Sequence, residues 1–239
     1  MQTEPRLDPY RDERSDAELD RDITILRRHV TDARWERMSA VLDARTRRLA
    51  TVVEDIFQPH NASAVLRSCD AFGVQDVHIL ENRNRYQVNP GVELGTAQWL
   101  SLFRYPHEDA TLSAYAALRS RGYRIIATTP HARDVAPEQL DLNAGPVALV
   151  FGSEKEGLSA QAMEAADGYL RIPMRGFVES LNISVSAAVT LQVLTGRLHA
   201  SSLPWQLDLR DRRVILARWL QRSVRQAGLI LERERGRRA

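Results

Sequence analysis

The chain has 239 residues, a formal net charge of +2 and one cysteine, Cys69. This length allows one α/β core with helical additions, and a single cysteine excludes a disulfide framework or a cysteine-cluster metal site. No apolar run is long enough to cross a membrane, and the first residues lack the apolar stretch of a signal peptide. We therefore expect a cytoplasmic protein, and no spacing of His, Cys, Asp and Glu suggests a metal.

The first 50 residues divide into a charged segment and a predicted helix. Up to about residue 32 the chain mixes Arg, Asp and Glu and has few apolar residues, so we expect partial disorder. Between residues 33 and 50, Trp35, Met38 and Leu42 recur at helical spacing and predict a helix.

A first polar turn follows a predicted strand at residues 51–57. Pro59 comes just before a helical pattern in which Asn61 or Ser63 is expected to be the N-cap. Gly73 is expected to end that helix, because glycine readily adopts the left-handed backbone of a helix end.

The middle of the chain alternates strands and helices. Residues 77–80 and 123–128 predict strands, and residues 109–121 predict a helix followed by Gly122. This alternation favours a parallel sheet in an α/β fold. The segment from 81 to 98 has no clear period and carries Arg83 and Arg85, so it is either a loop facing a substrate or an ordinary solvated connection.

Two further segments repeat the order of strand, polar turn and helix. Residues 147–151 predict a buried strand that breaks at Gly152 and Gly157 before a helix near Ser159. From Arg171 to Ala188, a short apolar strand, a Pro and Gly turn and a polar helix start predict an irregular backbone pocket. Ligands bind at strand ends in open α/β sheets, so the three turns predict one site.

Beyond Pro204 an amphipathic helix and a basic end are predicted. Lys155 is the sole lysine, so almost all basic side chains are arginines. This preference for arginine reflects either the nucleotide composition of the genome or the ability of arginine to bind phosphate and stack on bases. The basic end is either a solvated tail or a contact for nucleic acid. The arginines considered for RNA binding are Arg213, Arg218, Arg222 and Arg225.

Taken together, the three turns resemble the SPOUT superfamily of RNA methyltransferases, and most closely its tRNA guanosine-2′-O-methyltransferase branch. The resemblance covers roughly residues 35 to 200. It rests on Asn61 with Arg67, on Gly152 with Glu154, and on Ile172-Pro173-Met174 with Ser180-Leu181-Asn182.

The resemblance implies a trefoil-knotted α/β domain that binds S-adenosyl-L-methionine, acts on tRNA and forms a homodimer. The domains expected from it are an RNA-contacting, partly helical extension at 1–50, a methyltransferase domain at 51–200 and a basic helical extension at 201–239. Residues expected to line the cofactor pocket are Thr128, Gly152, Ile172, Met174 and Leu181.

The resemblance also assigns the reacting centre. Arg67 is the family's catalytic position, and because a guanidinium keeps its proton at neutral pH we expect it to stabilise developing negative charge rather than act as a base. Asn61 fixes Arg67 or the ribose, or only caps a helix. Glu154 pairs with Arg67 or contacts substrate, or is only a solvated turn residue. Ser180 and Asn182 cap the third helix and contact the reacting centre.

The expected activity is 2′-O-methylation of a tRNA ribose, with guanosine 18 in the D loop as the best-matched target. One alternative is a different tRNA or ribosomal RNA nucleotide. The other is an RNA-binding protein that has kept the fold without the reaction.

Overall fold

The computed structural model describes residues 12–87, 91, 95–107, 109–130 and 135–236. The chain folds into two compact units. The central unit runs from Thr46 to Trp205, and the terminal unit combines the residues up to Arg45 with those from Gln206 onward. In the described part of the chain, no helix has the length and apolar character needed to span a bilayer.

The central unit is built on one parallel sheet of six strands, which confirms the predicted fold class. Their spatial order is β3-β2-β1-β5-β4-β6, so β1 and β5 lie side by side at the centre. Crevices open at the carboxyl ends of strands where such an order changes direction. The strands are β1 (Thr46–Glu54), β2 (Val74–Glu81), β3 (Ser101–Pro106), β4 (Arg124–Thr128), β5 (Val147–Phe151) and β6 (Gly168–Leu170).

Helices cover both faces of this sheet, because its inner strands are buried on both sides. One face packs α3 and α6 over residues such as Val53 and Leu149, and the other packs α4 and α5 over Val52 and Val150. The bounds of these helices are α3 (Pro59–Ala71), α4 (Ala110–Arg119), α5 (Ala160–Glu164) and α6 (Ile183–His199), with a 3₁₀ turn at Thr96–Trp99.

The helix ends follow the predicted caps in two of the three polar turns. Ser159 caps α5 by accepting from Ala162 N, and Asn182 caps α6 by accepting from Ser184 N. Ser180, also predicted to cap α6, lies two residues before the cap. Gly73 and Gly122 have φ of 76° and 80° just past α3 and α4, as predicted. Glycine adopts these angles without the steric cost that a Cβ brings.

Three local predictions are wrong. The predicted helix of residues 33–50 ends at Asp43, because Leu49 and Ala50 belong to buried strand β1. The short strand expected from Arg171 lies just before it, at Gly168–Leu170. Asn61 and Ser63 are inside α3 rather than at its cap, since Pro59 already occupies the first turn.

The terminal unit is helical, and its bounds are α1 (Asp16–Arg27), α2 (Asp32–Asp43), α7 (Leu209–Ser223) and α8 (Ala227–Gly236). Part of the stretch for which partial disorder was predicted is therefore a helix, α1, which begins with a capping box formed by Ser15 and Glu18. The first eleven residues of that predicted disordered stretch lie outside the described residues. The trefoil knot stays a prediction.

Candidate active site

Asn61, Glu154 and Asn182 come from three different turns and form one hydrogen-bond chain. Asn61 Nδ2 donates to Glu154 Oε1 at 2.5 Å, and Asn182 Nδ2 donates to Asn61 Oδ1 at 3.1 Å. Asn182 Oδ1 accepts from the backbone N of Ser184 at 2.9 Å, which fixes it at the start of α6. The three turns therefore meet at one place, as their position at strand ends predicts.

The position of Asn61 follows from the proline before it. Pro59 at the first helical position needs no hydrogen-bond acceptor for a backbone N–H, and Gln58 makes no side-chain cap. Asn61 then falls in the first turn of α3 with only 3% of its surface exposed. The side-chain amide of Asn61 donates to one turn, at Glu154, and accepts from another, at Asn182. Asn61 therefore links the turns and is not the helix cap that was predicted.

Glu154 lies in a tight loop between Gly152 and Gly157. The loop closes by two backbone hydrogen bonds between Ser153 and Gly157, at 2.9 and 3.1 Å, and Gly157 has φ of 70°. A Cβ on Gly152 would lie 2.2 Å from the carbonyl carbon of Gly157, so this approach requires glycine. Among the described residues, Glu154 Oε2 is buried without a hydrogen-bond partner, which leaves an acceptor at the site.

A first cavity of about 360 Å³ opens beside this loop, at the carboxyl ends of β4, β5 and β6. Its walls are largely apolar, and the hydroxyl of Thr128 is already used, donating to Val150 O at 2.8 Å. Glu154 and Ser180 also line this cavity. All five residues predicted for the cofactor pocket line it: Thr128, Gly152, Ile172, Met174 and Leu181.

Arg67, predicted to be catalytic, lies outside both the cavity lining and the hydrogen-bond chain. It is exposed on α3, six positions after Asn61. Its catalytic role stays a prediction. Within the described ranges, no group of three His, Cys, Asp or Glu side chains could hold a metal ion.

The sequence profile of the SpoU rRNA Methylase family matches residues 48–192, which include the whole hydrogen-bond chain. The chain belongs to the SpoU rRNA methylase family. A relative from Borreliella burgdorferi, a tRNA (guanosine(18)-2′-O)-methyltransferase, is 37% identical over 203 residues, covering 85% of this chain and 91% of the relative.

Solved structures of SpoU proteins share the fold. The A. aeolicus TrmH/SpoU tRNA modifying enzyme superposes with a TM-score of 0.70 at 27% identity, covering 82% of this chain and 98% of the other. The SpoU methyltransferase AviRb from Streptomyces viridochromogenes, solved with the cofactor AdoMet, gives a TM-score of 0.54 at 21% identity, covering 68% and 62%.

Sequence reasoning missed a buried carboxylate in this SpoU protein. Glu54, at the end of β1, is 1% exposed. Its Oε1 accepts from Thr111 Oγ1 at 2.8 Å and from Ser159 Oγ at 2.7 Å, and its Oε2 accepts from Ser159 N at 2.8 Å. The signal was present in the sequence as a charge ending an apolar strand, and the structure shows that it anchors the start of α5.

The arginines predicted to bind RNA differ in their surroundings within the terminal unit. Arg213 Nε pairs with Asp20 at 2.8 Å, and Arg218 lies 3.9 Å from Asp12. The carboxylates beside Arg213 raise the pKa of its guanidinium. Arg222 and Arg225 are exposed at and beyond the end of α7, and partial burial lowers the pKa of the Arg222 guanidinium. All four roles stay predictions.

Proposed function

We propose that this chain transfers a methyl group from S-adenosyl-L-methionine to the 2′-hydroxyl of a tRNA ribose, with guanosine 18 as the target. The name of the B. burgdorferi relative supports the substrate, and its alignment covers most of both chains. The observation that carries the proposal is the hydrogen-bond chain of Asn61, Glu154 and Asn182 beside the first cavity.

The first cavity fits the proposed cofactor in size and chemistry. Its volume of about 360 Å³ is in the range of pockets for small ligands. Ile172, Met174 and Leu181 offer apolar walls for an adenosine, while backbone groups of the loops offer polar contacts at its edges. When bound, S-adenosyl-L-methionine supplies an electrophilic methyl group on a sulfonium. A carboxylate at the wall, Glu154, suits that positive charge.

The protein's part in the reaction is to position and polarise the acceptor hydroxyl. Displacement at a methyl carbon needs the attacking oxygen in line, so alignment supplies much of the rate. Asn61 holds one oxygen of Glu154, and we assign the other, Oε2, to accept the hydrogen bond of the 2′-hydroxyl. That bond orients the oxygen and helps its proton to leave. Arg67 is assigned to stabilise the developing negative charge.

The assembly proposed is a cytoplasmic homodimer with a knotted methyltransferase domain. Val185 and Val189 are one turn apart on α6 and are 44% and 38% exposed, while Phe177 and Val178 in the preceding loop are 108% and 61% exposed. Exposed apolar side chains on one helix and in the loop before it are typical of a surface that another chain covers. A second copy of this chain is the proposed occupant, since two-fold homodimers are the commonest oligomers.

The terminal unit is proposed to contact the tRNA, which keeps the expected roles of the 1–50 and 201–239 extensions. Arginine forks pair with phosphate oxygens, and release of counterions from RNA makes such binding sensitive to salt. The candidates for this contact are Arg222 and Arg225, which are exposed at and beyond the end of α7, and Arg213 and Arg218, which lie beside carboxylates.

The test combines product mapping with one substitution. The protein is incubated with labelled S-adenosyl-L-methionine and tRNA, and the methylated nucleotide is mapped. Arg67→Ala should lower kcat about 100-fold or more, as loss of a charge-stabilising donor does, while calorimetry shows cofactor affinity unchanged. Arg67→Lys should restore little activity, because an ammonium lacks the planar fork.

A second arginine variant serves as the control for Arg67→Ala. Arg119→Ala removes a half-exposed arginine that pairs with Asp167 on the far side of the sheet, and it should leave turnover unchanged. If Arg67→Ala lost cofactor affinity as severely as activity, the assignment of Arg67 to the acceptor side would be wrong.

One alternative target has a specific observation in its favour. The matching family is described by ribosomal RNA methylation, so a ribosomal RNA ribose is the second candidate substrate. Mapping the label in ribosomal RNA offered beside tRNA decides between them. No transfer to either RNA, with RNA binding intact, would favour a binding protein that has kept the fold without the reaction.

A further inference from the structure

A second cavity, of about 410 Å³, is also lined by residues of the Gly152–Gly157 loop, and the proposed methyl transfer gives it no role. It shares the loop residues 153–158 with the first cavity, including Glu154. Beyond the shared loop, its lining comes from the end of β1, from the segment after β2 and from the start of α5: Glu54, Asp55, Phe57, Arg83, Asn84, Ser159 and Ala160.

One wall of this second cavity is rigid. Glu54 receives hydrogen bonds from Thr111 and Ser159 on both oxygens, as described above. A carboxylate buried and saturated in this way fixes the end of β1 against α4 and α5. Glu54 therefore shapes the cavity without offering an acceptor to a ligand.

Asp55, the next residue, is held in an unusual backbone conformation. Its φ is 51°, and it is 8% exposed. Its Oδ1 accepts from the backbone N of Arg83 at 2.9 Å and of Asn84 at 3.2 Å, whereas its Oδ2 receives only a 3.5 Å contact from Asn82 among the described residues. Left-handed backbone at a non-glycine residue costs free energy and concentrates at functional sites. The geometry thus presents one carboxylate oxygen with spare acceptor capacity in the cavity wall.

Phe57 offers a platform for stacking. Its ring is 61% exposed although it directly follows buried Ile56, and Lys155 Nζ lies 5.3 Å from the ring centroid. Exposed aromatic rings beside cations are the usual receptors for splayed-out bases in RNA.

The charge of the second cavity decides which part of a nucleotide it accepts. Four carboxylates line it, Glu54, Asp55, Glu154 and Glu156, against the two cations Arg83 and Lys155, and Arg83 already pairs with Glu156 at 2.6 Å. A phosphate would be repelled there. A neutral base with N–H donors on its edge fits, and guanine has two kinds together, N1–H and the 2-amino group, which suit a carboxylate.

We propose that the second cavity holds the guanine base of the acceptor nucleotide, stacked on Phe57 with its N–H edge on Asp55. This inference rests on the proposed function. Because Glu154 lines both cavities, a base in the second places its own ribose at the boundary, next to the methyl donor in the first. Recognition of a splayed-out base in a pocket is how enzymes reach atoms inside folded RNA.

The first test varies the target base and the residue proposed to bind it, Asp55. Three tRNA transcripts carry guanosine, inosine or adenosine at the methylated position, where inosine lacks only the 2-amino group. The parent protein should prefer guanosine to inosine in kcat/KM by about tenfold or more, the usual discrimination of one paired base contact. Asp55→Asn should reduce that ratio to near one, because the amide keeps an acceptor for the backbone N–H groups and loses the charge. Asparagine also tolerates the left-handed backbone.

The second test measures stacking without turnover. In the absence of S-adenosyl-L-methionine, affinity for the guanosine transcript should fall about tenfold in Phe57→Ala, because the base loses its stacking partner, and kcat/KM should fall by a similar factor. Phe57→Trp should retain both. Leu112→Ala is the matched control, since Leu112 is a 46% exposed apolar residue on α4 outside the cavity.

The outcomes separate this inference from the proposed function. Failure of the parent protein to methylate any tRNA ribose overturns the proposed function and this inference with it. Normal methylation by the parent, with the guanosine preference unchanged in Asp55→Asn or the tRNA affinity unchanged in Phe57→Ala, overturns only the assignment of the second cavity. Unfolding temperatures within a few degrees of the parent confirm that each variant is folded.

Discussion

Asn61 is the residue through which the three turns of the site depend on one another. Its amide donates to Glu154 and accepts from Asn182 while buried. Removing it leaves Glu154 with both oxygens lacking a partner among the described residues, since Oε2 already lacks one. A buried acceptor without a partner costs about 1 to 3 kcal/mol.

Asn61→Ala should therefore lower the free energy of unfolding by roughly that amount and abolish most methyl transfer. Chemical denaturation and a turnover assay on the same sample measure both effects. Asn143→Ala, a change in an exposed turn where the side chain donates a hydrogen bond to Asp141, is the control and should alter neither. A variant at Asn61 that was fully active would mean that Glu154 is positioned by other groups.

His78 gives the stability of the protein a dependence on pH. It is fully buried on β2, stacked on Phe103 with ring centroids 4.4 Å apart, and its Nδ1 lies 3.0 Å from Tyr105 Oη. Burial, helped by the charge of Arg121, lowers the pKa of His78 to about 3. The folded protein therefore keeps this ring neutral over a range in which the unfolded chain, with a pKa near 6.5, protonates it.

Between pH 6.5 and 3 only the unfolded state binds that proton, so the free energy of unfolding falls as the pH falls. His78 contributes at most about 1.4 kcal/mol per pH unit to this slope. His78→Phe keeps the stack and should flatten the loss of stability in urea titrations between pH 6.5 and 4. The control variant His29→Gln, at an exposed histidine, should leave the loss of stability between pH 6.5 and 4 unchanged. A slope unaltered by His78→Phe would show that carboxylates dominate acid unfolding.

Among the structural elements, the loop from Gly152 to Gly157 matters most because it forms a wall of both cavities. Gly176, the glycine of the turn before α6, is not constrained, since a Cβ there would meet nothing within 4 Å and its φ is not left-handed. Gly152 is the constrained position, since a Cβ would lie 2.2 to 2.4 Å from backbone atoms of Gly157 and Leu158.

Gly152→Ala should force the loop open, at a cost of about 1 to 3 kcal/mol in stability, and should weaken S-adenosyl-L-methionine binding measured by calorimetry. Gly176→Ala is the internal control and should bind as the parent does. Equal affinities in the two variants would show that the loop adjusts without disturbing the first cavity.

Local sequence patterns predicted the turns of the site and did not predict which side chains meet there. Pro59, Gly152, Ser159 and Asn182 marked the polar turns correctly, because turn and cap preferences act over a few residues. The partners inside the site could not be read in this way. Asn61 and Glu154 are 93 residues apart, and Asn61 and Asn182 are 121 apart. Their meeting depends on the strand order, which places β1 beside β5 and is fixed by packing of the whole sheet.

At the scale of the whole molecule, arginines of the C-terminal helices form ion pairs with carboxylates near the other end of the chain. Arg210 and Arg213 pair with Asp16 and Asp20 of α1 at 2.5 to 3.3 Å. Those pairs link the two ends of the chain into one helical unit. The mixed charges of the first 32 residues, taken alone, predict partial disorder. The arginines that pair with these carboxylates are nearly 200 residues away in sequence, so a local pattern does not reveal the pairs.

Arg222→Gln with Arg225→Gln should weaken tRNA binding more than it lowers the unfolding temperature, since both side chains are exposed and neither belongs to those pairs. If both arginines contact phosphates, the slope of log affinity against log salt should become shallower by about 1 to 2. Arg210→Gln with Arg213→Gln should do the reverse, lowering the unfolding temperature slightly, because exposed ion pairs stabilise little, while keeping the slope. Should the slope stay the same in the Arg222 and Arg225 double variant, the phosphate contacts would have to lie elsewhere, with the helix around Trp35 the next surface to test.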